Sequence, residues 1–330
     1  MRGTMKRLLK FAVRAAAGLA ALAVVLVVVV LIRSNRTFDA PYPEIHASKD
    51  PAVIARGAYL VYGPAHCVNC HTKGEAQRAA AEEGATPPLT GGNRWSFPLG
   101  KIYSPNLTPD KETGIGRYTD AELARVLRYG VRPDGRAALP FMEFQHLSDE
   151  DLTAVISFLR SQPAVRNEVP RHEVNLLGKA VLAFLMKPVG PKEAPPKVTP
   201  AEEATVARGA YLANSVAGCA ECHTRRNPID GRYVAARFSG GGVLPADGRP
   251  GWVTVTPNLT PSKHGRITSW SEEQFVGRFG VGMGIKGSHM PWRQFQRMSD
   301  TDKRAIYRYL RTLKPVDFDP GPTLRKRDNA

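Results

Sequence analysis

The chain has 330 residues, and its 46 Lys and Arg against 30 Asp and Glu give a formal net charge of +16. Charged residues make up 23% and hydrophobic residues 42%, which excludes wholesale disorder, and four cysteines are too few for a disulfide-dense scaffold. This length suggests about two domains, each large enough to bury its own core.

The first predicted element is a membrane-spanning helix. Residues 1–36 contain seven basic residues and no acidic one, and residues 15–32 are an uninterrupted run of 18 small or aliphatic residues. As a helix this run spans ~27 Å, about the thickness of a bilayer core. The basic residues before the run predict a cytoplasmic N-terminus and export of everything that follows. A cleaved signal peptide is the alternative, although no small-x-small site follows the run.

The remaining 294 residues carry 39 basic and 30 acidic side chains, a net charge of +9. They contain no run of Lys and Arg interleaved with aromatic residues, the pattern that follows a nucleic-acid backbone. We therefore expect no nucleic acid as a partner.

The exported part is predicted to contain one domain written twice, because three motifs recur at an offset of 152 residues. We call residues 51–162 the first segment and residues 201–315 the second segment, with residues 163–200 as a linker. The repeated motifs are Ala55-Arg-Gly-Ala-Tyr-Leu60 with Ala207-Arg-Gly-Ala-Tyr-Leu212, Cys67-x-x-Cys70-His71-Thr72 with Cys219-x-x-Cys222-His223-Thr224, and Pro105-Asn-Leu-Thr-Pro109 with Pro257-Asn-Leu-Thr-Pro261. A fourth, Ser148-Asp149, returns as Ser299-Asp300 after a single deletion.

Each segment is predicted to be mainly α. A short helix leads into the cysteine motif, a Gly- and Pro-rich stretch follows, and a middle helix begins after Thr119 or Ser271. The last helix is predicted to begin at Ser148 or Ser299, whose hydroxyl can cap it. No strand is predicted.

The linker is predicted to contain a short amphipathic helix. Leu177, Val181, Phe184 and Leu185 lie on one face at helical spacing. This helix is expected to pack between or against the domains, and an interfacial membrane contact is the alternative.

The cysteine motifs allow three chemistries. The two Cys pairs could together form one Cys₄ zinc site, or each could be a redox dithiol, which would normally lie in a βαβ unit. Neither explains a His directly after both pairs. Haem attachment explains all three residues, because two thiols at this spacing can bond the porphyrin vinyl groups and the adjacent imidazole can bind the iron. We therefore predict two covalently bound haem c groups, held by Cys67, Cys70, Cys219 and Cys222, with His71 and His223 as axial ligands.

A methionine is expected opposite each histidine, because Met ligation raises the reduction potential of an electron-transfer haem. Met290 is the candidate in the second segment, with the adjacent His289 as a rival. Counting back from the Ser-Asp motif, Met290 corresponds to Leu139, which cannot ligate. The nearby candidate in the first segment is therefore Met142.

Taken together, the Arg-Gly-x-Tyr-Leu, Cys-x-x-Cys-His-Thr and Pro-Asn-Leu-Thr-Pro motifs and the stretch Leu147-Ser-Asp-Glu-Asp-Leu152 resemble those of membrane-anchored bacterial di-haem cytochromes c. These proteins are similar to the cytochrome c subunits of membrane-bound alcohol and gluconate dehydrogenases. The resemblance implies two tandem class I-like cytochrome c domains after a transmembrane helix, His/Met ligation, and a periplasmic location at the bacterial inner membrane. By position, the haem residues it carries over are Cys67, Cys70, His71, Met142, Cys219, Cys222, His223 and Met290.

The function expected from these features is electron transfer, from a dehydrogenase or quinol-oxidising complex to a terminal oxidase or soluble cytochrome. No residues are predicted to be catalytic. The alternative is a haem enzyme, peroxidase-like or thiosulfate-oxidising, in which the first haem has an exchangeable sixth ligand because Met142 does not bind. A zinc-linked structural module is the third class considered.

Overall fold

The protein is described by a computed structural model that covers residues 2–142, 144–227 and 231–327. Within these residues helices are the commonest regular secondary structure, which agrees with the predicted predominance of helix over strand. In chain order the helices are α1 (Arg2–Arg33), α2 (Pro51–Tyr62), α3 (Val68–His71), α4 (Gly74–Glu82), α5 (Asp120–Tyr129), α6 (Asp149–Ser161), α7 (Leu176–Phe184), α8 (Val206–Tyr211), α9 (Cys219–Cys222), α10 (Glu272–Gly280), α11 (Trp292–Gln296) and α12 (Asp300–Thr312). A π-helical turn, Leu212–Val216, continues α8.

Helix α1 differs from the other helices in that its apolar side chains are exposed along most of its length, although its C-terminal end contacts α7. By length and composition its residues Met5–Arg33 could cross a membrane, and no other helix in the described part of the chain passes that test. The extended chain after α1 is bound to the first segment. Phe38 N donates to Gly135 O (2.8 Å), and Arg125 Nε donates to Ala40 O (3.0 Å).

The predicted helix starts are confirmed. Thr119 and Ser271 each form a capping box with the third residue of the following helix. The hydroxyls of Ser148 and Ser299 each accept a hydrogen bond from the third backbone N–H of α6 and α12. These starts were predictable because a cap depends only on residues within one helical turn.

The expectation that no strand forms was wrong. Two antiparallel three-stranded sheets have the orders β1-β2-β3 and β4-β5-β6. The strands are β1 (Arg94–Phe97), β2 (Gly100–Tyr103), β3 (Glu173–Val174), β4 (Val243–Pro245), β5 (Trp252–Val255) and β6 (Leu324–Lys326). They have two to four residues each, too few to show an alternating pattern, and the third strand of each sheet lies far along the chain from its partner.

Each segment is closed by a crossing of its first and last helices, α2 on α6 and α8 on α12. The crossing point in the first segment is Gly57, where an added Cβ would overlap the carbonyl of Ala154. Gly209 meets the carbonyl of Ala305 in the same way. The glycine of the repeated Ala-Arg-Gly-Ala-Tyr-Leu motif therefore permits a backbone approach that no other residue allows.

A buried ion pair sits beside each crossing. Arg56 donates two hydrogen bonds to Asp151 (2.9 and 3.0 Å), and Arg208 donates two to Asp302 (2.9 and 3.2 Å). Both carboxylates and the Arg208 side chain are almost fully buried. These pairs join the first and last helices within each segment.

Two tyrosines connect the segments reciprocally. The Tyr59 hydroxyl donates to Asp302 (2.6 Å), and the Tyr211 hydroxyl donates to Asp151 (2.7 Å). Burial, followed by the nearby carboxylate charge, raises the pKa of both tyrosines, so both remain protonated donors. Each carboxylate is thus bound by an arginine of its own segment and a tyrosine of the other, as in the isologous interface of a two-fold dimer.

Removing one of these inter-segment tyrosine hydroxyls should destabilise the fold measurably. Tyr59→Phe leaves Asp302 paired with Arg208 but removes the charge-assisted bond to that carboxylate, together with the bond that the Tyr59 hydroxyl accepts from the Ser299 N–H (3.1 Å), so we expect the free energy of unfolding to fall by about 1.5–3 kcal/mol. Tyr211→Phe should behave alike. Denaturant unfolding of the full chain in detergent measures this loss.

The matched control is Tyr103→Phe, which removes an exposed tyrosine–carboxylate bond to Glu173 of similar length, 2.7 Å. Its loss should be smaller because solvent replaces the bond. Equal losses at Tyr59 and Tyr103 would contradict a structural role for the inter-segment bonds.

Candidate haem-binding sites

Each cysteine motif folds as a single helical turn. Cys67 precedes α3, and the His71 N–H donates to its carbonyl (3.0 Å); the His223 N–H donates to the Cys219 carbonyl (2.9 Å). A spacing of three residues brings the two thiols of a pair to one side of the turn. The first thiol of each pair is half-buried and the second is exposed.

Both histidines are buried and oriented by the same contact. His71 Nδ1 lies 3.0 Å from the carbonyl oxygen of Pro105, and His223 Nδ1 lies 3.0 Å from that of Pro257. A carbonyl can only accept, so Nδ1 carries the proton and donates. Nε2 is then the nitrogen with the lone pair, the tautomer in which metal-binding histidines are usually held.

The histidines are also held neutral. Burial lowers the pKa of the His71 imidazole, opposed by its hydrogen bond to Pro105. Burial likewise lowers the pKa of His223, with the Pro257 hydrogen bond opposing it and the Arg266 charge adding to it. A neutral imidazole is the form that binds a metal.

The Pro-Asn-Leu-Thr-Pro motif builds the loop that supplies the orienting carbonyl. Asn106 Oδ1 accepts from both the backbone N–H (3.0 Å) and the hydroxyl (2.8 Å) of Thr108. Its Nδ2 donates to Val165 O (2.9 Å), after the last helix of the segment. Asn258 makes the same three contacts, to Thr260 (2.9 and 2.8 Å) and Val316 (2.9 Å). Sequence reasoning identified this motif as a repeat but assigned it no structural role.

A glycine hydrogen-bonds the backbone carbonyl of each histidine. Gly91 N donates to His71 O (2.7 Å), and Gly240 N donates to His223 O (2.8 Å). Both glycines have positive φ, +66° and +77°, and a Cβ at Gly91 would overlap the Pro105 carbonyl. Sequence reasoning missed these residues, although the Gly-Gly pair that occurs in both segments was an available signal.

The thiols do not have the properties of a zinc site or a redox dithiol. Burial, followed by the neighbouring cysteine, raises the pKa of Cys67 and of Cys219 to about 12, whereas reactive dithiols have lowered thiol pKa values. Within residues 2–142, 144–227 and 231–327, no three His, Cys, Asp or Glu side chains cluster as metal ligands would. The shared Cys₄ site is therefore not formed in this structure.

The candidate methionines lie in the loops before the last helices. Met290 is half-buried and packs against the hydrophobic core, whereas its rival His289 is exposed, with Nε2 2.5 Å from Pro245 O. Near Met290, the buried indole N–H of Trp292 has no hydrogen-bond partner in the described part of the chain. Met142 is half-buried beside an exposed Phe141.

These residues fit haem c. Each motif offers two thiols on one side of a turn and a buried, neutral imidazole with Nε2 available. The unpartnered N–H of Trp292 calls for an acceptor, because an unmet buried donor costs about 1–3 kcal/mol.

Displacing the Pro105 carbonyl should alter one haem. Gly91→Ala forces a Cβ against that carbonyl and weakens the His71 hydrogen bond. The imidazole then donates less electron density, so we expect the reduction potential of one haem to rise and that of the other to stay unchanged. Spectroelectrochemical titration of the full chain measures both potentials.

Gly74→Ala is the control, since Gly74 has a nearly identical φ of +69° but nothing lies within 4 Å of an added Cβ. It should cause similar backbone strain and leave both potentials unchanged. Identical behaviour of the two variants would count against the orienting role of Pro105.

Comparison with known proteins agrees with this site chemistry. Residues 52–159 match the family described as cytochrome c oxidase, cbb3-type, subunit III. The alcohol dehydrogenase (quinone) cytochrome c subunit of Gluconobacter oxydans is 32% identical over 81% of this chain and 56% of its own length. The gluconate 2-dehydrogenase cytochrome c subunit of Pantoea cypripedii is 29% identical over 81% of this chain and 60% of its own length.

A protein named diheme cytochrome c-type from Cereibacter sphaeroides is 28% identical, over 76% of this chain and 83% of its own length. The chain thus spans little more than half the length of the two dehydrogenase subunits. Haem c is the cofactor that these relatives indicate. The comparisons confirm that the chain is similar to the cytochrome c subunits of bacterial alcohol and gluconate dehydrogenases and to a di-haem c-type cytochrome.

Proposed function

We propose that the chain is a membrane-tethered di-haem c-type cytochrome that transfers electrons on the periplasmic side of the bacterial inner membrane. The observation that carries this proposal is the repeated imidazole geometry. His71 and His223 are both buried, and both donate from Nδ1 to a proline carbonyl at 3.0 Å. A purely structural role would not require that the histidine Nε2 be kept available for a metal in both segments.

The proposed domains are the first and second segments, as tandem class I-like cytochrome c domains. Residues 1–36 are the cytoplasmic head and anchor, and residues 163–200 are the linker. The equivalent helix crossings at Gly57 and Gly209 support this division, as do the equivalent Asn106 and Asn258 contacts.

In each domain the cysteine pair would hold a haem through two thioether bonds, and the histidine Nε2 would bind its iron. The bound haem supplies reversible one-electron chemistry at the iron. The chain's own residues orient the imidazole and bury it. The Pro105 and Pro257 carbonyls hold the Nδ1 protons and thereby fix the ligand tautomer.

Met290 is proposed as the sixth ligand in the second domain and Met142 in the first. Packing of Met290 against the hydrophobic core supports its assignment as the ligand in the second domain. The contact of His289 with the Pro245 carbonyl argues against His289 as that ligand. The position that corresponds to Met290 is Leu139, which cannot bind iron. This observation favours the alternative function, a haem enzyme with an exchangeable sixth ligand in the first domain.

The names of the relatives support a dehydrogenase as the electron donor. We propose that the chain accepts electrons from a dehydrogenase or a quinol-oxidising complex and passes them to a terminal oxidase or a soluble cytochrome. The buried Tyr59–Asp302 and Tyr211–Asp151 bonds would keep the two haems at a constant separation, which a relay between them requires.

Ligand substitutions separate the relay from the enzyme. We expect two low-spin haems, and Met290→Ala should remove about half of the methionine–iron charge-transfer absorption and lower one potential, because the thioether raises it. Met142→Ala should do the same to the other haem. Visible and electron paramagnetic resonance spectra of the ferric full chain report the ligation and spin state of each haem, and spectroelectrochemical titration reports the potentials.

Met283→Ala is the control, because Met283 is an exposed methionine seven residues from Met290 and should leave the spectra unchanged. A high-spin haem in the unsubstituted protein that Met142→Ala leaves unchanged would instead support the enzyme.

A further inference from the structure

We propose that helix α7 and the β1–β2 turn form a foot that lies in the lipid headgroup region and sets the first segment against the membrane. This foot comprises Leu177 and Phe184 of α7, Leu185 directly after α7, Phe97 at the end of β1 and Leu99 in the β1–β2 turn. The inference rests on the proposed function in one respect, because it takes α1 to be a membrane anchor.

Helix α7 packs against α1 at the end where the chain would leave the bilayer. Arg33, the last residue of α1, places its guanidinium 5.4 Å from the centre of the Phe184 ring. The Arg36 guanidinium donates to the carbonyl of Met186, just beyond α7. The foot is therefore continuous with the exit of the proposed anchor.

The exposed side of α7 is apolar. Leu177 and Leu185 are 64% and 63% exposed, and Phe184 is also exposed. Only Gly178 and Ala183 of this helix are buried. A helix that exposes large aliphatic and aromatic residues beside a membrane anchor has the composition of an interfacial helix.

The charge around α7 is suited to a phospholipid surface. No acidic residue occurs from position 174 to 192, whereas this stretch contains Lys179, Lys187 and Lys192. Lysines that flank an apolar helix face can extend to lipid phosphates while the apolar side chains enter the acyl boundary. This composition is compatible with a lipid surface, and the contact of α7 with the end of the proposed anchor makes lipid the occupant that we propose.

The β1–β2 turn extends the same surface. Asn175, which caps α7, donates from Nδ2 to Pro98 O (2.8 Å) and from its backbone N to Leu99 O (3.1 Å). Phe97 and Leu99 are exposed, and the Phe97 ring stacks on Phe141 at 6.1 Å. Since Phe141 precedes Met142, the foot would hold the candidate ligand loop of the first segment near the bilayer.

The test uses the full chain in vesicles of phosphatidylethanolamine and phosphatidylglycerol. A polarity-sensitive NBD fluorophore is attached at Leu185→Cys and, separately, at Leu177→Cys in case one label perturbs folding. Brominated lipid should remove a larger fraction of the emission at these positions than aqueous iodide does. Val198→Cys is the matched control, because Val198 is 65% exposed in the same linker but lies outside the foot, and it should show the reverse.

Stronger quenching by iodide than by lipid at both foot positions would overturn the proposal. Protection of both positions from both quenchers would also overturn it, since protein rather than lipid would then cover α7. A third label at Leu22→Cys, within α1, tests the anchor independently. Lipid quenching at residue 22 together with iodide quenching at residue 185 would disprove the foot but leave the anchor supported. Iodide quenching at residue 22 would disprove the proposed anchor itself.

Discussion

The hydrogen bond from each buried imidazole to a proline carbonyl is the constraint around which each segment is built. For His71, that carbonyl must be placed by a loop without regular structure. Asn106 therefore closes the loop on itself and ties it to the chain after the last helix, and Gly91 packs where any Cβ would displace the carbonyl. The second segment repeats every one of these contacts. A long loop can hold a ligand rigidly in this way because its backbone polar groups are satisfied internally.

The second constraint joins the segments. A buried Arg–Asp pair adds little net stability, because desolvation offsets the Coulomb attraction. The ion pairs instead specify how the two segments pack. Asp151 and Asp302 are each bound by two partners, one from each segment. Only one arrangement of the four helices α2, α6, α8 and α12 supplies all of these partners. The interface that results keeps the two histidine sites in a constant relation, which suits a relay better than two independently moving domains would.

The sequence predicted the parts of the fold that depend on local chemistry. Helix starts at Thr119 and Ser148 follow from side chains that cap their own helix, and the amphipathic helix in the linker follows from apolar spacing. The strands could not be predicted, because β3 and β6 pair with residues far along the chain.

The same limit applied to the sites. The repeat identified Tyr59 as a conspicuous position, yet nothing local shows that its hydroxyl binds Asp302, 243 residues later. Cys67, Cys70 and His71 could be recognised as a unit from their spacing alone, and the structure folds them into one helical turn. The roles of Asn106 and Gly91 could not be recognised, since they act through a backbone carbonyl that only the folded chain brings near the histidine.

The proposed function depends on covalent attachment of two haems, one through each cysteine pair. The most direct measurement is the mass of the denatured full chain, compared with variants in which Cys67 and Cys70, or Cys219 and Cys222, are replaced by alanine. We expect a mass increment of two haems in the unsubstituted chain and of one haem in each double variant. An unsubstituted chain that retains one haem or none after denaturation would contradict the proposed function.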